Sequence, residues 1–273
     1  MSSERKKITD LINIPGFTFS FELTPNICED EINALEMSPV FFSVTWHAKA
    51  HQCKNLEIDP LQTVRLLKSK GKNVLLHLTC DMLRMSYLDQ LLIFLKEQDI
   101  CNLFVILGDN YNPDTSDFKS TTELIKYIRE KTGDYFCIGI AGFPDCSDEK
   151  LLQLKQKLEN GADFIVTQAF FEPEVLKKFI EQCENCGIKA PILPGVFLFE
   201  NYDQLAKFLN MCKGKVSDNF VNIIKSKEQS GAPCSEVIKK MVQDLKEQIN
   251  INHFHFFTMN KMQSVCNLIK QLG

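Results

Sequence analysis

Eight short runs rich in apolar, β-branched or aromatic residues recur along the chain, at 18–23, 41–47, 73–80, 102–108, 136–142, 163–170, 191–197 and 253–259. Their starts are separated by 23, 32, 29, 34, 27, 28 and 62 residues, and every interval but the last is the size of a strand plus a crossover helix. Most runs lack apolar/polar alternation, as in Val74-Leu75-Leu76 and Phe104-Val105-Ile106, which suits parallel strands covered on both faces. The segments between them carry helical stripes: Val175, Leu176, Phe179, Ile180 and Cys183 form one, and Tyr202, Leu205, Phe208, Leu209 and Cys212 another. The long interval must hold extra helices, for which 216–227 and 234–249 are the segments, and 260–272 supplies the eighth outer helix. The pattern predicts an α/β fold, a (βα)8 TIM barrel with extra helices between strands seven and eight. A doubly wound open sheet is the competitor, but no Gly-x-Gly-x-x-Gly follows any strand to give it the usual dinucleotide signature.

A length of 273 residues is about twice that of a common domain, yet single barrels reach this size, so one domain over 1–273 is expected. With 44% apolar and 24% charged residues the composition is globular. A net charge of −4 offers no general attraction to nucleic-acid phosphates or anionic lipid, so neither partner is expected. Residues 1–7 are polar and no apolar stretch approaches the roughly 20 residues of a membrane span. Eleven cysteines, an odd number in a long chain, with Cys80, Cys101 and Cys137 in or beside apolar runs, fit a reducing cytoplasm better than a disulfide framework. Cys183 and Cys186 have metal-like spacing, but no second pair follows at zinc-site distance and the pair ends a helix before Gly187. Helix-end packing is the preferred reading, and no metal is expected.

In such a barrel the carboxyl ends of the strands build the active site. The polar residues ending these runs are Glu22, then Thr45, Trp46 and His47, then His77 and Thr79, then Asp109, then Thr167 and Gln168, with Asn260 and Lys261 after the last. Thr45, Thr79 and His77 have ready structural roles at a barrel rim, and Asp109 could cap a turn. Glu22 is different. A carboxyl inside Phe19-Ser20-Phe21-Glu22-Leu23 is desolvated, which raises its pKa toward that of a general acid unless a nearby Lys or Arg pairs with it.

Phe19-Ser20-Phe21-Glu22 with Pro25, Val44-Thr45-Trp46-His47, His77-Leu78-Thr79-Cys80, Gly108-Asp109, Ala141-Gly142-Phe143-Pro144, the stretch from Gly161 to Gln168, Pro194-Gly195-Val196-Phe197 and His255-Phe256-Phe257-Thr258-Met259-Asn260 resemble methylenetetrahydrofolate reductase in order and approximate spacing. The resemblance implies a barrel that uses FAD, takes hydride from NADPH or NADH, and passes it to 5,10-methylenetetrahydrofolate to give 5-methyltetrahydrofolate in one-carbon and methionine metabolism. On matching positions it implies Glu22 as the acid that promotes opening of the folate ring and Asp109 as the acid beside flavin and pterin. Gln168 would hydrogen-bond the pterin, Phe257 and Lys261 would contact substrate, and Thr45, Trp46, His77, Gly108, Asp109 and Lys157 would contact flavin. A homo-oligomer is compatible with it.

The chain departs from the family at the flavin periphery. It reads Leu107-Gly108-Asp109 where the family has Arg-Gly-Asp, and Ser120-Thr121 where the family has Tyr-Ala. The loop after Pro144 is several residues shorter, and Lys261 replaces an Arg, keeping charge but not bidentate recognition. The chain ends just after the eighth helix, so no regulatory domain is expected. These departures leave a second expectation open, a non-catalytic barrel that binds folate or a protein partner.

Overall fold

The computed structural model describes residues 6–51, 55–109 and 111–272. Its strands are β1 (Thr18–Leu23), β2 (Phe42–Val44), β3 (Val74–Thr79), β4 (Asn102–Ile106), β5 (Cys137–Gly142), β6 (Phe164–Thr167), β7 (Ile192–Leu193), β8 (Gly195–Phe197) and β9 (His253–Phe257). They form one sheet in the order β7-β6-β5-β4-β3-β2-β1-β9-β8, and every pairing is parallel. The run read as one strand over 191–197 is two pieces broken at Pro194, which has no N–H to donate. The break joins the ring: β7 pairs with β6, β8 pairs with β9, and the sheet closes as an α/β barrel.

Five outer helices fall on the segments read as helical in the sequence. Helix Pro173–Asn185 buries Leu176, Phe179 and Cys183, and helix Tyr202–Cys212 buries Leu205 and Phe208. Between β8 and β9 the chain also forms Asp218–Ser230, capped by the Ser217 hydroxyl, and Ser235–Ile249. The final helix is Met262–Lys270. Ser120, read as the loss of an aromatic, is the N-cap of helix Thr121–Thr132, its hydroxyl accepting from the Glu123 N–H at 3.2 Å.

Continuous apolar strands bury both faces. One face packs against the helices in the larger core; the other fills the barrel with Phe41, Leu75, Phe104, Cys137, Phe164, Val166 and Leu193. The short helix Ile8–Leu11 closes the amino end, with Ile8 and Leu11 in that inner core and the Ile8 N–H bonded to Asn102 Oδ1 at 2.9 Å. No disulfide joins any two of the ten described cysteines, and Cys53 lies outside the described residues. Among the described residues no helix is long and apolar enough to cross a membrane, and no group of three or more His, Cys, Asp or Glu could hold a metal.

Candidate active site

Parallel pairing sets the height of each side chain in the barrel. Glu22 lies opposite Ser43 on β2 and opposite Phe257 on β9, and Ser20 lies opposite His255. Because alternate residues share a face, Thr18, Ser20 and Glu22 line one side of β1, and His253, His255 and Phe257 line one side of β9. The result is a buried polar column. His253 Nδ1 shares a hydrogen bond with Thr18 Oγ1 at 2.9 Å, His253 Nε2 with Ser20 Oγ at 2.9 Å, and Ser20 Oγ with His255 Nδ1 at 2.7 Å. The Phe41 ring stacks on both histidines, at 5.6 and 5.7 Å. On the neighbouring strands β2 and β3, His77 Nε2 meets Ser43 Oγ at 2.6 Å.

Glu22 tops this column. Its Oε2 is 3.7 Å from His77 Nε2, and its side chain is 18% exposed. Burial pushes its pKa up to about 8. Burial pushes His77 down to about 3, with repulsion from His255 and His47 adding to it, so His77 is a neutral imidazole and the pair is no ion pair. His253 and His255 are held at about 3 by the same desolvation. No Lys or Arg among the described residues forms an ion pair with Glu22. A protonated carboxyl at the mouth of a barrel, facing a neutral ring, is a proton donor at neutral pH.

The remaining sequence-predicted residues lie at or near the carboxyl ends of the other strands. Thr45 and Trp46 directly follow β2; both are buried, and Thr45 Oγ1 and Trp46 Nε1 have no hydrogen-bond partner among the described residues. The Trp46 ring meets Tyr87 edge-on at 6.3 Å. Gly108 adopts φ +104°, and a Cβ there would lie 2.6 Å from Thr79 Oγ1 and 2.9 Å from Asp81 Cβ, so glycine lets the β4 end close onto the β3 end. Asp109 follows it and is exposed. Gln168 is the first residue past β6; its N–H donates to Gly142 O at 2.8 Å and its Oε1 accepts from the Ala169 N–H at 3.1 Å, which leaves Nε2 to donate elsewhere.

Lys157 stands apart from Phe257 and Lys261. It lines a cavity of about 100 Å³ with Gly142, Phe143, Cys146 and Lys150, and burial holds its ammonium below the ordinary pKa. Phe257 and Lys261 line a larger cavity of about 270 Å³, walled by Phe197, Phe208, Gln204 and Lys207. Phe197 and Phe208 stack there at 3.8 Å, 7° from parallel. Sequence reading placed Phe208 only in a core stripe, and passed over Gln204, Ser43 and Asp81. Ser20, His253 and His255 had a usable signal, since polar residues two apart in an apolar strand must share one face.

The methylenetetrahydrofolate reductase family model matches residues 7–273. Methylenetetrahydrofolate reductase 2 of Schizosaccharomyces pombe is 30% identical over 312 aligned residues, covering 98% of this chain and 47% of that protein. Methylenetetrahydrofolate reductase (NADH) 1 of Arabidopsis thaliana is 27% identical, covering 93% of this chain and 48% of that protein. The chain thus spans about half the length of these curated relatives. Among solved structures, oxaloacetate acetylhydrolase superposes with a TM-score of 0.54 at 10% identity, over 98% of this chain and 85% of that one, a likeness of fold.

Proposed function

The chain belongs to the methylenetetrahydrofolate reductase family, and on that premise we propose that it reduces 5,10-methylenetetrahydrofolate to 5-methyltetrahydrofolate in a flavin-dependent reaction with NADH or NADPH as donor. The observation that carries this reading is Glu22, a carboxyl kept protonated to about pH 8 by burial at the mouth of the barrel. Ring opening of the folate needs a proton at the ring nitrogen, and Glu22 supplies it, exposing an electrophilic iminium carbon. His77, neutral and fixed by Ser43, faces Glu22 without drawing off its proton.

The residues present suit a flavin. The unpartnered Thr45 hydroxyl and Trp46 indole N–H supply hydrogen-bonding groups already stripped of water, and Lys150 and Lys157 give the smaller cavity a cationic lining for phosphate. Thr45, Trp46, His77, Gly108 and Lys157 would hold FAD, which when bound supplies the hydride. Gln168 Nε2 orients the pterin by donation, and Asp109 lies at its edge. The aromatic wall of Phe197, Phe208 and Phe257 suits the aromatic ring of a folate, with Lys207 and Lys261 placed for its anionic tail.

A second reading, a barrel that binds folate or a protein without turnover, rests on Leu107, an apolar side chain 42% exposed at the rim where the family resemblance leads one to expect a cation. Purified protein supplied with excess FAD, 5,10-methylenetetrahydrofolate and either nicotinamide nucleotide decides between the two. Accumulation of 5-methyltetrahydrofolate supports the enzyme; folate binding without product at saturating FAD favours the second reading.

A further inference from the structure

Three buried side-chain polar atoms lack a hydrogen-bond partner among the described residues: Thr45 Oγ1, Trp46 Nε1 and Asp81 Oδ1. They are not scattered. All three lie just beyond the carboxyl ends of β2 and β3, which are neighbours in the sheet. Two belong to residues already read as flavin contacts; Asp81 does not. It is 5% exposed, among the most buried acidic side chains of the protein. Its backbone is fixed twice, the Asp81 N–H donating to Leu107 O at 3.1 Å and to Thr79 Oγ1 at 3.1 Å. A Cβ added at Gly108 would lie 2.9 Å from the Asp81 Cβ, so the absence of a side chain at Gly108 is what leaves Asp81 its place. No Lys or Arg forms an ion pair with it among the described residues, and the neighbouring rim residue at the end of β4 is Leu107.

A buried acceptor left without a donor is costly, and native structures keep such groups where something else satisfies them. Phosphate oxygens and ring carbonyls offer no donor, and phosphate would be repelled. The donors a flavin does offer are its single ring imide N–H and the several hydroxyls of its polyol chain, and the hydroxyls are the more numerous and adaptable. We propose that Asp81 is a cofactor-contact residue that accepts hydrogen bonds from the hydroxyls of the polyol chain of a flavin, beside the Thr45 and Trp46 groups. The contact deepens the proposed function and rests on its flavin reading. It also gives Leu107 a sense: a cation at that rim position would stand beside the Asp81 carboxyl and compete for the oxygen that the hydroxyls need.

The test is a titration of flavin-free protein by fluorescence quenching with riboflavin, FAD and lumiflavin, which shares the ring but has no polyol chain. For Asp81→Leu, riboflavin and FAD should each bind roughly tenfold or more weakly, and lumiflavin should be unchanged. Asp81→Asn, which keeps an acceptor oxygen, should recover part of the riboflavin affinity. In the absence of flavin, Asp81→Leu should melt at or above the wild-type temperature, because it removes an unsatisfied buried acceptor. Equal weakening of lumiflavin and riboflavin overturns the polyol contact in favour of one to the ring, and a lowered melting temperature without flavin overturns it by making Asp81 a structural residue. Unchanged riboflavin affinity in both variants, with wild type binding normally, overturns this contact alone. Failure of wild type to bind any of the three overturns the flavin reading and the contact with it.

Discussion

Glu22 and the three inner histidines have opposite effects on stability as pH changes. His77, His253 and His255 have native pKa values of about 3 against an ordinary 6.5, so the native state binds fewer protons than the unfolded chain between those limits. The stability they contribute is complete above pH 6.5 and is lost as pH falls toward 3. Glu22 holds its proton to about pH 8 where an ordinary glutamate releases it near 4.5, so its contribution declines as pH rises between those values. Thermal stability should therefore peak near pH 6.5. Above that, the fall attributable to Glu22 is about 1.4 kcal/mol per pH unit up to pH 8. A melting series across pH 5–9 checks this: Glu22→Gln should flatten the decline on the alkaline side, and an unchanged slope would place the ionisation elsewhere. Glu22 was legible in the sequence because it is a lone acid in an apolar strand. Asp81 was not, because its importance comes from what fails to bond with it, and that appears only once the β4 end folds against it.

The elements were legible to the extent that periodicity defines them. The stripe on 173–185 gave its helix, and the continuous strands gave parallel pairing. The split of 191–197 was not visible as such, although Pro194 marked the place, because a missing N–H matters only when two different neighbours compete for the strand. Ser120 is a similar case: read against the family it was a lost aromatic, while locally it is a helix cap. At the seam Gly195 donates its N–H to Thr167 Oγ1 at 2.9 Å, and an added Cβ would lie 2.2 Å from Thr167 O and 2.6 Å from the Phe257 ring. Gly195→Ala should therefore force β6 and β9 apart. A loss of about 3 kcal/mol or more in urea unfolding is expected. A loss under about 1 kcal/mol would mean that the seam yields easily. Replacing Ser120 by Ala should cost only about 1 kcal/mol in the same measurement, the ordinary value of a helix cap.

At the scale of the whole molecule, closure of the barrel turns residues far apart in sequence into one mouth. Glu22 and Phe257 are register partners although the length of the barrel's sequence separates them, and His77 reaches Glu22 across the intervening β2. The family resemblance covered these positions in order, so much of the mouth could be assembled before any geometry was known. What it could not supply is the division of the mouth into a 270 Å³ aromatic cavity and a smaller lysine-lined one, which depends on how Phe208 and Lys157 settle from their helices. In the proposed reaction Glu22 is the proton donor for folate and plays no part in receiving hydride from the nicotinamide. Stopped-flow absorbance of the two half-reactions, in wild type and Glu22→Gln loaded with FAD, tests it most directly. Cofactor reduction by NADH or NADPH should proceed at a near wild-type rate in the variant, while reoxidation by 5,10-methylenetetrahydrofolate should slow by roughly 10²- to 10⁴-fold. Equal slowing of both half-reactions, or reoxidation at the wild-type rate, would contradict the claim.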